Sequence, residues 1–177
     1  MDDLTRLALA AGAGDRISQA AFVRRSQGEV WRLCASLVDR ASADDLTQDV
    51  YVRAIPALAT FRGDSSARTW LLSITRHTCA DAIRRRTRRR ALAERLARRA
   101  ADAVVPDPGG SVDLSLLLAS LEPDRREAFA LTQVLGLTYA EAAEVADCPA
   151  GTIRSRVARA RADLVQLAEP ARGVSRG

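Results

Sequence analysis

The chain has 177 residues, of which 47% are apolar and 4% aromatic, and a formal net charge of +5; that length builds one or two small domains with real cores. Alanine and leucine dominate, which favours helices over sheets, and no apolar run approaches the roughly 20 residues of a membrane span. The N-terminus, MDDLTRLALAAGAGD, is acidic where a signal peptide is basic, which predicts a cytoplasmic protein with no membrane partner.

In chain order, the first half reads as helical. Ser42-Ala43-Asp44-Asp45 fits a capping box, with Ser42 as N-cap and Asp45 at the third helical position. The helix it opens runs to about Ala59, with Pro56 kinking or ending it near Ile55. Leu46, Val50 and Ile55 lie near one face, and Asp44, Asp45, Gln48, Asp49 and Arg53 are polar. Phe61-Arg62-Gly63-Asp64 is a turn. Ser65 or Ser66 caps the next helix, whose apolar positions are Trp70, Leu71, Ile74 and Ile83 with Ala82 beside them.

That helix enters a basic block. Residues 84–99 carry nine of the 27 arginines against one glutamate, while the segments on either side are near neutral. Such a block faces a polyanion or is a solvated helix face. All the basic residues are arginine. The three cysteines, Cys34, Cys79 and Cys148, form no CxxC pair, and His77 is the one histidine. A zinc site or disulfide framework is not expected. The thiols are expected to pack as small hydrophobes, and no metal or cofactor is implied.

Val104 to Gly110 holds two prolines and two glycines and will not sustain helix or sheet. It predicts a linker over 91–111 between a first domain, 1–90, and a second, 112–170, with a short tail over 171–177. In the second, Ser111 caps a helix through Leu121, and Pro123 opens another that ends at Gly136. Thr138-Tyr139-Ala140-Glu141 is a second capping box, opening a short helix to about Ala146. Asp147-Cys148-Pro149 turns the chain into CPAGTIRSRVARARADL, the last long helix.

Two helices across a tight turn, the second longer, describe a helix-turn-helix. At 100° per residue, Ile153, Val157, Ala160 and Leu164 fall within about 60° of one another and form the core face. Ser155, Ala158, Arg159 and Ala162 point the opposite way, and the small ones let the helix approach a partner closely. Arg154 and Arg159 can reach guanine edges. Arg156 and Arg161 suit phosphates, as does Thr152 at the helix N-terminus.

GLTYAEAAEVADCPAGTIRSRVARARADL resembles region 4 of bacterial RNA polymerase sigma factors, and SADDLTQDVYVRAIPALATFRGDSSARTWLLSITRHTCADAIRRR resembles their region 2. The order, across a linker and without a region 3, is similar to the extracytoplasmic-function class. The resemblance implies an all-α fold of two small helical domains and an alternative sigma factor that is not an enzyme. It implies binding to the polymerase core, through the largest-subunit clamp and the flap, and to promoter DNA, with an anti-sigma factor as a plausible regulator. It assigns Asp44, Asp45, Gln48, Asp49 and Arg53 to the core. Minus-10 recognition and melting fall to Phe61, Arg62, Gly63, Asp64, Thr69, Trp70, Arg76 and His77, with the basic residues Arg84 and Arg85 along the DNA backbone. Trp70 is expected in the core rather than as a stacking platform. The minus-35 element falls to Thr152, Arg154, Ser155, Arg156, Ala158 and Arg159. His77 stands where many members carry Asn, and Pro56 where many carry a large residue.

Two rival classes accompany this expectation. A stand-alone helix-turn-helix regulator would dimerise to match half-sites, and no heptad seam is visible. A nucleic-acid enzyme would need a nucleophile or metal carboxylates; Asp44, Asp45 and Asp49 sit on one capped helix with no further acid motif nearby.

Overall fold

The computed structural model describes residues 1–97 and 114–168, and these form eight α-helices and no strand. The first half holds α1 (Asp3–Gly12), α2 (Arg16–Leu37), α3 (Ala43–Ala57) and α4 (Ala67–Ala97). The second holds α5 (Leu114–Ser120), α6 (Pro123–Phe129), α7 (Tyr139–Ala146) and α8 (Ala150–Ala168). The all-α expectation is met. No helix among the described residues is long and apolar enough to cross a membrane.

The first half is built around α2. Phe22, Val30 and Leu33 of α2 meet Leu46 and Val50 of α3 and Leu71 and Leu72 of α4, all buried. Each such side chain contributes about 1.5–3 kcal/mol on leaving water. Asp2 caps α1 by accepting from the Thr5 amide and hydroxyl, and Thr5 Oγ1 in turn accepts from the Ala67 amide at 2.9 Å. One short chain of hydrogen bonds thus ties the starts of α1 and α4. Where α1 ends, the backbone of Leu58 comes so close to Gly12 that a Cβ there would lie 2.3 Å from the Leu58 carbonyl oxygen. Gly12→Ala must push two backbones apart, so we expect a cost of about 1–3 kcal/mol, read as a lowered midpoint in urea with an unchanged slope.

The start of α3 differs from expectation. Ser42 makes no side-chain cap. Its hydroxyl accepts from Arg86, while its amide donates to Asp39 Oδ1 at 2.8 Å. The capping box is lost because a distant arginine claims the serine. Pro56 sits inside the last turn of α3, which ends at Ala57 and tightens into a 3₁₀ turn over Leu58–Thr60. Proline removes one amide, and the Leu58 amide reaches back to Ala54, Ile55 and Pro56 carbonyls instead.

Ser66 caps α4, accepting from the Thr69 amide at 3.0 Å. No glycine or proline follows before Ala97, so α4 runs on through the basic block and through 91–97, which were expected to begin the linker. Trp70 is partly buried with its ring against Phe61, as expected of a core residue, whereas Ile83 is 41% exposed. Ser111, the Pro/Gly segment and the tail lie outside the described residues.

In the second half, Pro123 is the first residue of α6, and the chain then widens into a π-helical turn over Ala130–Val134 before Gly136, whose φ is +69°. The Thr138–Glu141 capping box is complete. Asp147, at φ +51°, takes the left-handed conformation that ends α7. Ile153, Val157 and Ala160 of α8 are buried and Leu164 is half-buried, as the helical period predicts.

The halves share one continuous core, with α7 packed on α4 and α6 on α2. Arg68 fastens them by donating to both Glu29 carboxylate oxygens and to the Leu135 carbonyl at 2.7 Å. Arg126 does the same elsewhere, donating to the Leu37 carbonyl at the end of α2 and to Ala119 and Leu121 carbonyls. It thereby satisfies a carbonyl at the end of α2 and two around the end of α5.

Candidate nucleic-acid interface

The face of α8 opposite its core is Ser155, Ala158, Arg159 and Ala162, all exposed. None of the four is acidic, and three of them are small. Arg154 is exposed and its guanidinium stands over the Tyr139 ring at 6.0 Å, so α7 steadies it. Arg159 has no ion pair among the described residues. Thr152 is half-buried, its amide bonded to the Pro149 carbonyl at 2.8 Å. Arg156 and Arg161 are engaged internally: Arg156 with Asp124 and the Cys148 sulfur, Arg161 with Gln133 Oε1 at 2.7 Å. Arg154 and Arg159 are therefore presented outward, and Arg156 and Arg161 are braced.

A second set of residues lies before and along the first three turns of α4. Arg62, Asp64 and His77 are exposed. Phe61 is half-buried, its ring centroid 5.0 Å from that of Trp70. Thr69 is 4% exposed and hydrogen-bonds Ser66, so its hydroxyl serves the helix start. Arg76 pairs with Glu127 of α6, and the two side chains are only 27% and 14% exposed. Burial pushes the Glu127 carboxyl above its ordinary value, with Arg76 pulling it back. The second half of the chain thus sits on the side of α4 that carries Arg76.

The polar positions of α3 face outward together. Asp44, Asp45, Gln48, Asp49 and Arg53 are all exposed. Asp44 accepts from the Trp31 indole at 2.8 Å, Arg53 pairs with Asp81 at 2.8 Å, and Asp49 stands 3.8 Å from Arg85. The Arg53 and Arg84 hydrogen bonds hold the Asp81 carboxyl below its ordinary value. Gln48 borders an apolar groove with Val23, Tyr51, Ile55 and the 73% exposed Val52. The basic run is partly answered from within, Arg84 by Asp81, Arg85 by Asp49 and Arg86 by Asp39. Arg88, Arg89 and Arg90 are exposed and make no ion pair among the described residues.

Sequence reasoning missed Arg68, Glu29, Arg126 and Glu127, which join the halves, and Tyr139, which steadies Arg154. Tyr139 was visible only as a capping-box residue; its distance of fifteen positions from Arg154 gives no local signal.

Comparison with known proteins decides the family. Residues 22–89 match the model of Sigma-70 region 2 and residues 111–164 that of Sigma-70, region 4. The chain is 49% identical over 172 residues to the ECF RNA polymerase sigma factor SigC of Mycobacterium tuberculosis, covering 94% of this chain and 92% of that one. It belongs to the extracytoplasmic-function sigma factors.

This sigma factor is also 32% identical over 177 residues to the ECF RNA polymerase sigma-E factor of Escherichia coli, covering 89% and 90% of the two chains. Two solved structures share its fold: CnrH in complex with the cytosolic domain of CnrY, with a TM-score of 0.72, 29% identity and 93% and 97% coverage, and the sigma factor RpoE in complex with the anti-sigma factor NepR from Bartonella quintana, with a TM-score of 0.66, 29% identity and 85% and 96% coverage. The extracytoplasmic-function sigma factor is an alternative transcription initiation factor, not an enzyme, which sets aside both the stand-alone regulator and the nucleic-acid enzyme.

Proposed function

We propose that this cytoplasmic sigma factor docks on the polymerase core through α3 and reads two promoter elements with separate halves. Asp44, Asp45, Gln48, Asp49 and Arg53 are the core-binding set, supported by their common exposure on α3, where Gln48 borders an apolar groove. A rim of charge around apolar surface is the usual anatomy of a protein interface. Arg62 and Asp64, exposed just before α4, and His77, exposed on α4, meet the minus-10 element, joined by Arg76 once Glu127 releases it. Arg84 and Arg85 follow the backbone and contribute salt-dependent affinity. Thr152, Arg154, Ser155, Arg156, Ala158 and Arg159 meet the minus-35 element. The observation that carries the proposal is α8: a helix behind a complete capping box, apolar inward, small-residue and arginine-bearing outward.

The two similar structures hold anti-sigma proteins or a cytosolic partner domain, and an anti-sigma protein is the regulator we assign to this chain. We place the functional halves at 1–90 and 112–170, joined through 91–111.

Core docking is tested by size-exclusion co-elution with sigma-free polymerase core. The chain is expected to co-elute, and the Asp45→Arg, Asp49→Arg double variant to lose at least about tenfold in affinity, since like charge replaces opposite charge over a desolvated contact. Equal co-elution of the two proteins would remove α3 from the interface.

A further inference from the structure

The sulfurs of Cys34 and Cys79 lie 3.7 Å apart, on α2 and α4, though 45 residues separate them in sequence. Both residues are buried and both are free thiols. A disulfide needs the sulfurs at about 2.05 Å, so each needs to move by less than about 1 Å. Cys79 also lines a cavity of about 270 Å³ between α4 and the start of α6. Arg76, Arg86, Arg90 and Arg126 line the same cavity. Neighbouring guanidinium groups favour a thiolate. Cys148 stands in the other half, against Arg156, and its sulfur has no cysteine neighbour.

We propose that Cys34 and Cys79 are a redox-active dithiol that a hydroperoxide entering the α4–α6 cavity converts to a disulfide, clamping α2 to α4. The pair is reduced at rest in a reducing compartment, where lasting disulfides are rare and transient ones serve as sensors. Cys79 lines the cavity and Cys34 does not, so Cys79 is the attacking sulfur. Its thiolate attacks one peroxide oxygen, the O–O bond breaks, and the departing hydroxide takes a proton and leaves as water. Cys79 is now a sulfenic acid. Cys34 attacks that sulfur, the S–S bond forms, the S–O bond breaks, and the hydroxide takes the Cys34 proton and leaves as a second water. The two thiols have lost two electrons and the peroxide has gained them. The product ties the helix that carries Arg76, His77 and the arginine run to the central helix of the first half.

The test treats the folded full-length chain with hydrogen peroxide and reads it by mass spectrometry. The expected result is a loss of about 2 Da, with the Cys34 and Cys79 peptides joined in a non-reducing digest and separated again by dithiothreitol. The Cys148→Ala variant is expected to behave identically. Thermal unfolding of the oxidised chain is expected roughly 5 °C or more higher, because the bridge closes a long loop. Three intact thiols after treatment, a bridge that includes Cys148, or sulfonic acids without a bridge would each overturn the proposal. Because the wild-type chain carries the readout, the result does not depend on whether cysteine variants in the core fold.

Discussion

Replacing Arg154 and Arg159 together with alanine is expected to cut transcription from a promoter of this sigma factor by at least about thirtyfold, with core binding unchanged. Each bidentate arginine–guanine contact is worth about 1–3 kcal/mol, so two contribute about 2 kcal/mol at the least. The fold is expected to survive, because both side chains are exposed and only the Arg154 contact with Tyr139 is lost. Arg156→Ala makes the contrast. Arg156 is braced against Asp124 and Cys148, so its loss should lower stability and weaken binding to all sequences alike. Gel shifts with the reconstituted holoenzyme, on a promoter and on a scrambled minus-35 element, separate the two. Equal loss on both DNAs for the Arg154, Arg159 variant would mean that these arginines hold phosphates and read no base.

The second large effect concerns the contact between the halves. Arg76 cannot engage DNA while it is paired with Glu127 in a mostly buried site. Glu127→Ala removes that pair from between α4 and α6, at a cost to packing of about 1–3 kcal/mol; Arg76 then turns to solvent rather than staying buried and unpaired, which keeps the cost below that of a fully buried pair. The variant should show a larger hydrodynamic radius and a tighter grip of the free chain on minus-10 single strands. Burial raises the Glu127 carboxyl above its ordinary value while Arg76 lowers it, and the net shift is upward. The packed form then holds the proton more tightly than the separated form. Packing therefore strengthens as pH falls through the window between the ordinary value of 4.5 and the raised one, and weakens as pH rises through it. Glu127→Gln should abolish that dependence of the radius on pH. A wild-type radius that is constant across the window, or that shrinks as pH rises, would show that the pair does not govern the contact.

What could be read in the sequence was what depends on neighbours along the chain. The Thr138 capping box, Pro123 at a helix start and the inward face of α8 all follow from spacings of one to four residues. The Ser42 box obeyed the same pattern and still failed, because Arg86, forty-four positions away, took its hydroxyl. The Pro/Gly segment marked a linker, but it says nothing of how far the preceding helix runs into it; helix formation follows propensity, and arginine and alanine sustain α4 to Ala97. The Arg76–Glu127 pair and the Cys34–Cys79 contact lie 51 and 45 positions apart in sequence and carry no periodicity that would announce them. The candidate site was visible as a set of residues but not as an arrangement in which one half of the chain covers part of the other.

Promoter-directed initiation is read out by run-off transcription from sheared genomic DNA with sigma-free polymerase core. Addition of the chain is predicted to produce discrete new transcripts, whose shared upstream sequences lose their effect when Arg154 and Arg159 are replaced. A folded chain and an active core that together give no new transcript would contradict it.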